Sequence, residues 1–577
     1  MKTKRNQQII ALSCTLSVFC PVLASAQINF IHGVSLPSGG EIVSYANGQL
    51  LTTNSLGGAT PNHAIQIYSL NGTDSLSGAG SLTSGLSVDL ASTFGGAANI
   101  SSVSSVLADA RGFGVAAVIP TANGSGNFGR ISIFNTSSGA ILKTLDVGYH
   151  PDSVTITPDG SKLIITNEGE FVNTTAEGVF ARPGSISVVD LTGVTSGNFA
   201  TNIGALTAAN VGTFDFGSGN LGAGASLLGI RDNTLTANNA TTTALAANIE
   251  PEYTTASNTK AYITLQENNA IATFDLSTSK YEVISSLGSI TQIIDASDKD
   301  GASNAASIGI NDTVKGLPMP DTVTQFSRSG TTYLVTVNEG DSRGDDADIA
   351  RANVSGLVDT VDSGSGDLFY SGSVGNTGIG RLNILKDMGN LDGDAGIEDP
   401  HMMGTRSVTI WNANTSALVF DSGSMIETYV ADNDPTTFNM NNGSLSEFDK
   451  RSDDKGPEPE ALAFGSIAGR DYLFVGAERQ NGIFQFDITD LNNVSITNYF
   501  NTVTNSTDSV GAYISPESIL FLDALNNPSG KNLLIVGFEG TGTNGSIGVF
   551  EVVPEPGSAM LGALGLTLVC LRRRKVS

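Results

Sequence analysis

One pattern recurs five times between residues 151 and 551 and constrains the fold more than any other feature. Each copy opens with proline and an acid, continues through a strand, a turn and a second strand ending near glutamate, and closes with a third strand. The copies open at Pro151-Asp152, Pro251-Glu252, Pro320-Asp321, Pro459-Glu460 and Pro516-Glu517. Units of this kind bury their apolar faces against neighbouring copies, so the pattern predicts a repeat architecture.

Two weaker copies precede these five, over Glu41–Tyr68 and Ile100–Asn135. Seven units of three or four strands predict an all-β, seven-bladed β-propeller. The last unit lacks a fourth strand, and we expect Ile28–Val34 to supply it and close the ring. An array of β-sandwiches or a β-helix is the alternative. Long inter-strand insertions interrupt the repeat at about 192–249, 286–317, 344–404 and 421–457.

The N-terminus has the three parts of a secretory signal. Lys2, Lys4 and Arg5 precede an apolar run from Ile9 to Leu23, and small residues follow at 24–26. We therefore expect a signal peptide over 1–26, cut by signal peptidase, and a mature domain over 27–553. The run is short for a retained transmembrane anchor.

The C-terminal segment, 554–577, also combines an apolar stretch with a basic run, but here the basic run comes after the apolar stretch. Val553, Pro554, Glu555 and Pro556 precede an apolar stretch from Ala559 to Leu571 and the basic run 572–575. These residues resemble the PEP-CTERM sorting signal of Gram-negative bacteria. The resemblance implies recognition by an exosortase, cleavage near Pro554, and association with extracellular polysaccharide at the outer surface. Contact with the membrane would then be transient and confined to this segment. A plain single-pass tail anchor is the alternative.

Charge and cysteine content restrict the classes of partner and the chemistry that are possible for this protein. The segment 27–553 holds 22 Lys and Arg against 55 Asp and Glu, a formal net charge of −33. Nucleic acid and anionic lipid are disfavoured as partners because their phosphates would be repelled. The three cysteines, Cys14, Cys20 and Cys570, lie in the terminal segments, so the body has neither a disulfide nor thiol chemistry.

In a propeller blade, the start of the first strand and the end of the second lie at the same rim. Ten carboxylates should therefore surround one mouth, in five pairs: Asp152 with Glu168, Glu252 with Glu267, Asp321 with Glu339, Glu460 with Glu478, and Glu517 with Glu539. We add Asp341, which follows Glu339 closely. Such crowding requires compensation, and Ca²⁺ or another hard divalent cation takes six to eight oxygen ligands. Salt bridges between blades are the alternative.

Other residues near this rim could hold an anion or assist chemistry. Arg343, Arg406 and Arg479 follow or precede the acidic motifs, and arginine binds carboxylates and phosphates through two parallel hydrogen bonds. His150 precedes the first proline of the strong repeats and is the best histidine for acid–base work. No catalytic residue can be assigned, and the sequence contains no organic-cofactor motif.

Several uncommon strings resemble the choice-of-anchor I family over most of the body, from about Glu41 to Glu551. They are Asn167-Glu168-Gly169-Glu170, the run 264–271, the run 338–343 and the run 453–460. The resemblance implies a surface domain carried by varied C-terminal anchors, and some family members are described as atypical alkaline phosphatases. The chain departs from the family in its acid-poor first two units and its short aspartate-rich stretch around Asp392 and Asp394.

The sequence is therefore compatible with two functions. The first is a cation-binding structural or interaction protein of the cell surface or its exopolysaccharide. The second is a divalent-metal-dependent phosphoesterase that uses the acidic rim to hold ions against a phosphate. Gly340-Asp341-Ser342-Arg343-Gly344 has the spacing of a hydrolase nucleophile elbow, but that motif belongs to an α/β fold.

Overall fold

The computed structural model describes residues 27–553, apart from 37–38, 57–61, 74–77, 122–127, 170–181, 233–244, 343–347, 362–367, 394–395, 506–512 and 541–543. The predicted signal peptide and the segment 554–577 lie outside the described residues, as do Pro554, Glu555 and Pro556. Among the described helices, none has the length and apolar character needed to cross a membrane.

Seven four-stranded antiparallel sheets, named here A to G, form the body of the described chain. The strands of sheets A and B are Val43–Ala46, Gln49–Leu56, Asn62–Leu70 and Leu82–Asp89, then Ile100–Asp109, Phe113–Pro120, Arg130–Asn135 and Ile141–Asp146. Sheets C and D contain Pro151–Ile156, Lys162–Asn167, Ser185–Asp190 and Val211–Asp215, then Pro251–Ala256, Lys260–Leu265, Ala270–Asp275 and Lys280–Ser286. Sheets E and F contain Val323–Arg328, Thr331–Val337, Val408–Asn412 and Leu418–Asp421, then Pro459–Ile467, Arg470–Ala477, Gly482–Asp487 and Ser495–Asn501.

Sheet G joins the two ends of the described chain. Its strands Pro516–Leu522, Leu533–Phe538 and Ser546–Val553 are followed in space by Gln27–Ser35. Gln27 pairs with Val553, and Ser35 pairs with Ser546. The predicted pairing of the N-terminal strand with the last unit is therefore confirmed.

The sheets pack side by side in chain order. The first strand of each sheet contacts the first strand of the next, and the first strand of sheet G contacts that of sheet A. Apolar side chains fill each junction: Ile164 and Ile186 of sheet C, for example, pack with Ile263 and Phe274 of sheet D. Because strands alternate their side chains between two faces, each sheet packs one face against the preceding sheet and the other against the following sheet.

The insertions are more ordered than the sequence indicates. The stretch expected to be an insertion at 192–249 supplies Val211–Asp215, the fourth strand of sheet C, so that expected boundary was wrong. The insertions 286–317 and 344–404 build a further sheet together, from Ile290–Ile294, Asp312–Leu317 and His401–Met403. Ile349–Arg351 pairs with Asn383–Leu385 in a small separate sheet. Among the described residues, helices with α geometry include Phe199–Gly204, Met425–Asn433 and Thr502–Asn505.

Candidate metal centre

A β-bulge places the acid of four repeats. The strand register shifts between Pro151 and Ser153, and the same shift occurs after Pro251, Pro459 and Pro516. The acid that follows each proline is therefore skipped by the ladder. A bulge turns its side chain away from the direction that strand alternation would impose, which explains why one recurring motif presents carboxylates in the same way.

A hydrogen bond fixes the second acid of several pairs beside the first. The backbone N–H of Glu168 donates to the carbonyl of His150 at 2.9 Å, that of Glu478 to Glu458 at 2.7 Å, and that of Glu539 to Ser515 at 2.9 Å. In each case the acceptor is the residue before the repeated proline. Four residues at this position have a left-handed backbone: His150, Met319, Glu458 and Ser515, with φ of 46°, 45°, 53° and 58°. Left-handed residues other than glycine are uncommon, and they cluster at functional sites.

These motifs surround one cavity of about 490 Å³. Its acidic lining residues are Glu41, Asp152, Glu168, Glu252, Asp321, Glu460, Glu517 and Glu539. His150 and Tyr253 also line it. Glu339 and Glu478 join the same group through their carboxylates, and Glu267 lies near enough to Glu252 to raise its pKa. All ten predicted carboxylates are therefore brought together.

Three triplets within this group have carboxylate oxygens lying within 4.8 Å of one another. They are Asp321, Glu339 and Glu460; Glu339, Glu458 and Glu478; and Glu460, Glu478 and Glu517. Two oxygens bound to one Ca²⁺ at about 2.4 Å can be at most ~4.8 Å apart, so each triplet has the span of a shared cation.

One part of the cluster, the paired side, consists of Glu339, Glu458 and Glu478 with three basic side chains. Lys455 bonds to Glu339 and lies 3.4 Å from Glu458. Arg451 Nε donates to Glu458 at 2.6 Å. Arg479 lies 2.8 Å from Glu478 and 3.6 Å from Glu539. Burial lowers the pKa of Lys455, but Glu339, Glu458 and Asp341 more than offset it and hold that pKa well above its usual range.

The other part, the open side, consists of Asp152, Glu252, Asp321, Glu460 and Glu517. Among the described residues, none of these five forms an ion pair with a lysine or arginine. A nearby basic group is His150, whose Nδ1 lies 2.9 Å from Glu168. Negative charge on the open side is thus compensated only weakly by the protein.

The pKa values follow this lack of compensation. Burial, and then repulsion by Glu168, raise the pKa of Asp152 to about 7 despite the opposite effect of His150. Burial and the nearby carboxylates of Glu41 and Glu539 raise the pKa of Glu517 to about 8. Burial followed by neighbouring carboxylates raises the pKa of Glu252, Asp321 and Glu460 well above the ordinary value. Protons or a cation must therefore neutralise part of the open side near neutral pH.

Five residues of the cluster were not predicted from the sequence. Glu458 is fully buried, and Lys455 and Arg451 bind it. Glu458 occupies the position before the repeated proline, like His150, so the repeat itself could have revealed it. Lys455 and Arg451 lie in the connection preceding sheet F, where no repeat marks their positions. Glu41 and Tyr253 also line the cavity, and burial raises the pKa of both.

The three arginines predicted to lie at the rim do not share one location in the structure. Arg479 lies at the cluster, whereas Arg343 falls outside the described residues. The expectation for Arg406 was wrong: it is buried, and its guanidinium bonds to Glu427 at 2.8 Å and to the carbonyls of Asp295, Ser452 and Asp454. Its left-handed backbone, with φ of 56°, precedes a third strand and directs the side chain into the protein. Asp341 is half exposed and lies 4.0 Å from Lys455.

The fold and site define an all-β repeat protein whose sheets enclose an acidic cavity. The sequence model of the choice-of-anchor I domain matches residues 56–491, and the chain belongs to that family. Membership suggests a surface-anchored protein.

Similar proteins are remote in sequence. The chain is 30% identical to Gigasin-3a of Magallana gigas over 178 residues, which are 29% of this chain and 62% of that protein, so it spans less than two thirds of that relative. Hydrazine synthase of Kuenenia stuttgartiensis has a TM-score of 0.41 and 11% identity, covering 90% of this chain and 96% of that one. The periplasmic gluconolactonase PpgL of Pseudomonas aeruginosa has a TM-score of 0.39 and 10% identity, covering 81% and 85%.

Proposed function

We propose that this protein is a cell-surface β-propeller whose acidic cavity binds a divalent cation, preferentially Ca²⁺. The observation that carries the proposal is the position of Glu460. Its carboxylate belongs to two of the three triplets, one with Asp321 and Glu339 and one with Glu478 and Glu517. A single hard cation there would draw ligands from sheets E, F and G.

Charge favours the cation over a solely internal ion-pair network. Lys455, Arg451 and Arg479 neutralise the paired side, but the five carboxylates of the open side form no such ion pair within the described part of the chain. Carboxylate oxygens from several directions suit Ca²⁺, which accepts irregular coordination, better than Mg²⁺, which requires near-octahedral geometry. Water can supply the remaining ligands in a cavity of about 490 Å³.

Calorimetry on chelator-treated protein tests this site. We expect heat on titration with millimolar Ca²⁺, and at least a tenfold weaker affinity in Glu460→Gln. Asp490→Asn is the matched control, because Asp490 lies in an exposed turn where it accepts the backbone N–H of Asn492 at 3.0 Å. Absence of Ca²⁺ binding by the unmodified protein, or equal binding by Glu460→Gln, would overturn the proposal.

The proposed architecture is a seven-bladed propeller in which sheets A to G are the blades. It is supported by the seven sheets, by the contacts that return from sheet G to sheet A, and by the shared sheet of the two chain ends. We further propose export, exosortase processing of the C-terminal segment and retention in exopolysaccharide. Finding the protein in the cytoplasmic fraction of the native cell, rather than at the surface, would contradict that part.

A second candidate function is a metal-dependent phosphoesterase. It is favoured by the basic groups beside the triplets, since Lys455 and Arg479 could stabilise charge on a phosphate held by the cation. Turnover of p-nitrophenyl phosphate or phytate that requires Ca²⁺ and is abolished by Glu339→Gln would favour it. Ca²⁺ binding without turnover would leave the binding function alone.

A further inference from the structure

Sheet A has a serine at the position where other sheets carry the second acid of each pair. Thr53-Asn54-Ser55 lies near the end of its second strand, as Thr166-Asn167-Glu168 does in sheet C. The two threonines have equivalent partners, because each pairs with the residue that follows the first acid of its sheet, Glu41 or Asp152. Ser55 is half-buried and lines the acidic cavity, so a hydroxyl occupies the place of a carboxylate there.

A histidine lies directly opposite this serine. Ser55 and His63 are cross-strand partners in sheet A, so their side chains share one face of the sheet. Ser55 Oγ lies 2.8 Å from His63 Nδ1. His63 is only 2% exposed, and burial lowers its pKa, so the imidazole is neutral at neutral pH. A neutral imidazole has one ring nitrogen that can accept a proton.

Two backbone groups favour the arrangement in which Ser55 donates to His63. The backbone N–H of Val103 donates to Ser55 Oγ at 3.0 Å, which leaves the proton of the hydroxyl for another acceptor. The carbonyl of Ile100 opposes the effect of burial and raises the pKa of His63, which a carbonyl does by attracting a ring N–H. With the ring proton directed towards Ile100, Nδ1 is the nitrogen that accepts from Ser55.

The segment that carries Val103 connects this pair to the open side of the cluster. Ser104 follows Val103, and its Oγ donates to the carbonyl of Pro151 at 2.5 Å. Pro151 immediately precedes Asp152, whose side chain lines the same cavity as Ser55. The serine–histidine pair therefore lies on the flank of the cavity where weakly compensated carboxylates attract positive charge.

We propose that Ser55 and His63 are the nucleophile and general base for hydrolysis of carboxylic esters that carry a positive charge. Ser55 Oγ attacks the ester carbonyl carbon while its proton passes to His63 Nδ1. The bond to the alcohol oxygen then breaks, the alcohol leaves with that proton, and an acyl-serine remains. Water gives a proton to His63 and attacks the acyl carbon, and the carboxylic acid leaves as Ser55 regains its proton. The open side attracts the positive group of the ester.

Reaction of the full chain with a fluorophosphonate probe tests the nucleophile. Ser55 Oγ displaces fluoride from phosphorus, its proton passes to His63, and mass spectrometry locates the label. We expect the label on Ser55 in the unmodified protein and at least about a hundredfold slower labelling in His63→Gln, since a general base contributes roughly 10²- to 10⁴-fold. Ser101→Ala is the matched control, because Ser101 lines the same cavity, and it should be labelled on Ser55 like the unmodified protein.

Ester hydrolysis in the presence of chelator tests the substrate class. The two substrates are the 4-nitrophenyl esters of butyric acid and of 4-trimethylammoniobutyric acid, which differ in charge. We expect kcat/KM to be at least about tenfold higher for the cationic ester at low ionic strength, and added salt to reduce this preference. Ser55→Ala should hydrolyse neither ester, and Ser101→Ala should match the unmodified protein.

Absence of label on Ser55 in the unmodified protein, or ester turnover that Ser55→Ala retains, would overturn the inference. The labelling experiment uses the unmodified protein, so it decides even where Ser55→Ala does not fold. Equal kcat/KM for the two esters would overturn the selection by charge. Because chelator is present during ester hydrolysis, these results do not depend on whether the cavity binds Ca²⁺.

Discussion

The two sides of the acidic cluster place similar carboxylates in different electrical surroundings. On the paired side, Glu458 is fully buried and lies close to Lys455, Arg451 and Arg479. On the open side, Asp321 and Glu517 have no such partner among the described residues, and burial raises the pKa of both. Position in the repeat therefore does not decide whether a carboxylate has a basic partner. The connection preceding sheet F decides this, because it carries Lys455 and Arg451.

This difference suggests that the two sides of the cluster have different roles, which we call the division between them: the paired side stabilises the fold, and the open side binds protons or cations. On the paired side, basic side chains lie beside the buried acids and offset the cost of burying their charge, although burial and the carboxylates of Glu517 and Glu458 raise the pKa of Glu478 well above its ordinary value despite Arg479. The open side is stable only with added protons or cations. Removing one charge should consequently have opposite effects on the two sides.

The largest expected effect is on the paired side. Lys455→Met should lower the free energy of unfolding by about 3 to 5 kcal/mol, because it leaves Glu339 and buried Glu458 without this cation. Chemical denaturation measures the loss. Lys450→Met is the matched control: Lys450 is about half exposed and lies 3.4 Å from Asp298, so its loss should cost less than about 1 kcal/mol. Equal effects of the two substitutions would contradict the division.

The second prediction concerns how the free energy of unfolding depends on pH in the absence of divalent cations. The folded-state pKa of Asp152, about 7, and of Glu517, about 8, exceed the ordinary values of the unfolded chain. Between pH 5 and 8 the folded protein therefore binds more protons, and its free energy of unfolding should fall as pH rises, by at most about 1.4 kcal/mol per pH unit for each of the two carboxyls. Denaturation at several pH values measures the slope. Millimolar Ca²⁺ should flatten it; stability that rises over this range would refute the assignment.

A smaller effect of opposite sign is expected on the open side. Glu517→Gln should raise the free energy of unfolding by about 1 to 2 kcal/mol at pH 8 in chelator, because it relieves repulsion among buried carboxylates. The same substitution should weaken Ca²⁺ binding in the cavity. A Glu517→Gln protein that is less stable than the unmodified one in chelator would show that Glu517 makes a favourable ionised contact.

The smallest effect concerns His150, a basic group that lines the cavity together with Asp152. His150→Asn should change the free energy of unfolding by less than about 1 kcal/mol, because the pair with Glu168 is partly exposed and asparagine tolerates a left-handed backbone. The pKa of Asp152 should rise further, since His150 lowers it. NMR titration of the Asp152 carboxyl carbon measures this change, and an unchanged pKa would remove His150 from the site.

The repeat was sufficient to predict much of this arrangement. Strand spacing located the acids after Pro151, Pro459 and Pro516, and the missing fourth strand of the last unit indicated a role for Ile28–Val34. Contacts between distant segments were not predictable: Arg406 precedes the third strand of sheet E, yet its partners come from residues 295, 427, 452 and 454. Lys455 and Arg451 belong to a connection without internal repetition, so only its folding against sheets E and F could reveal their role.

Sheet G has a consequence for the order in which the protein can mature. Of the described strands, its outer strand, Gln27–Ser35, is the first in chain order, and the neighbouring strand, Ser546–Val553, is the last. During synthesis, the backbone groups of Gln27–Ser35 that pair with Ser546–Val553 must therefore stay without these partners until the chain has been made through Val553. A chain truncated before Ser546–Val553 would leave the edge of Gln27–Ser35 exposed, and exposed strand edges promote aggregation and proteolysis. The pairing within sheet G, which precedes its packing against sheet A, therefore distinguishes full-length from truncated chains.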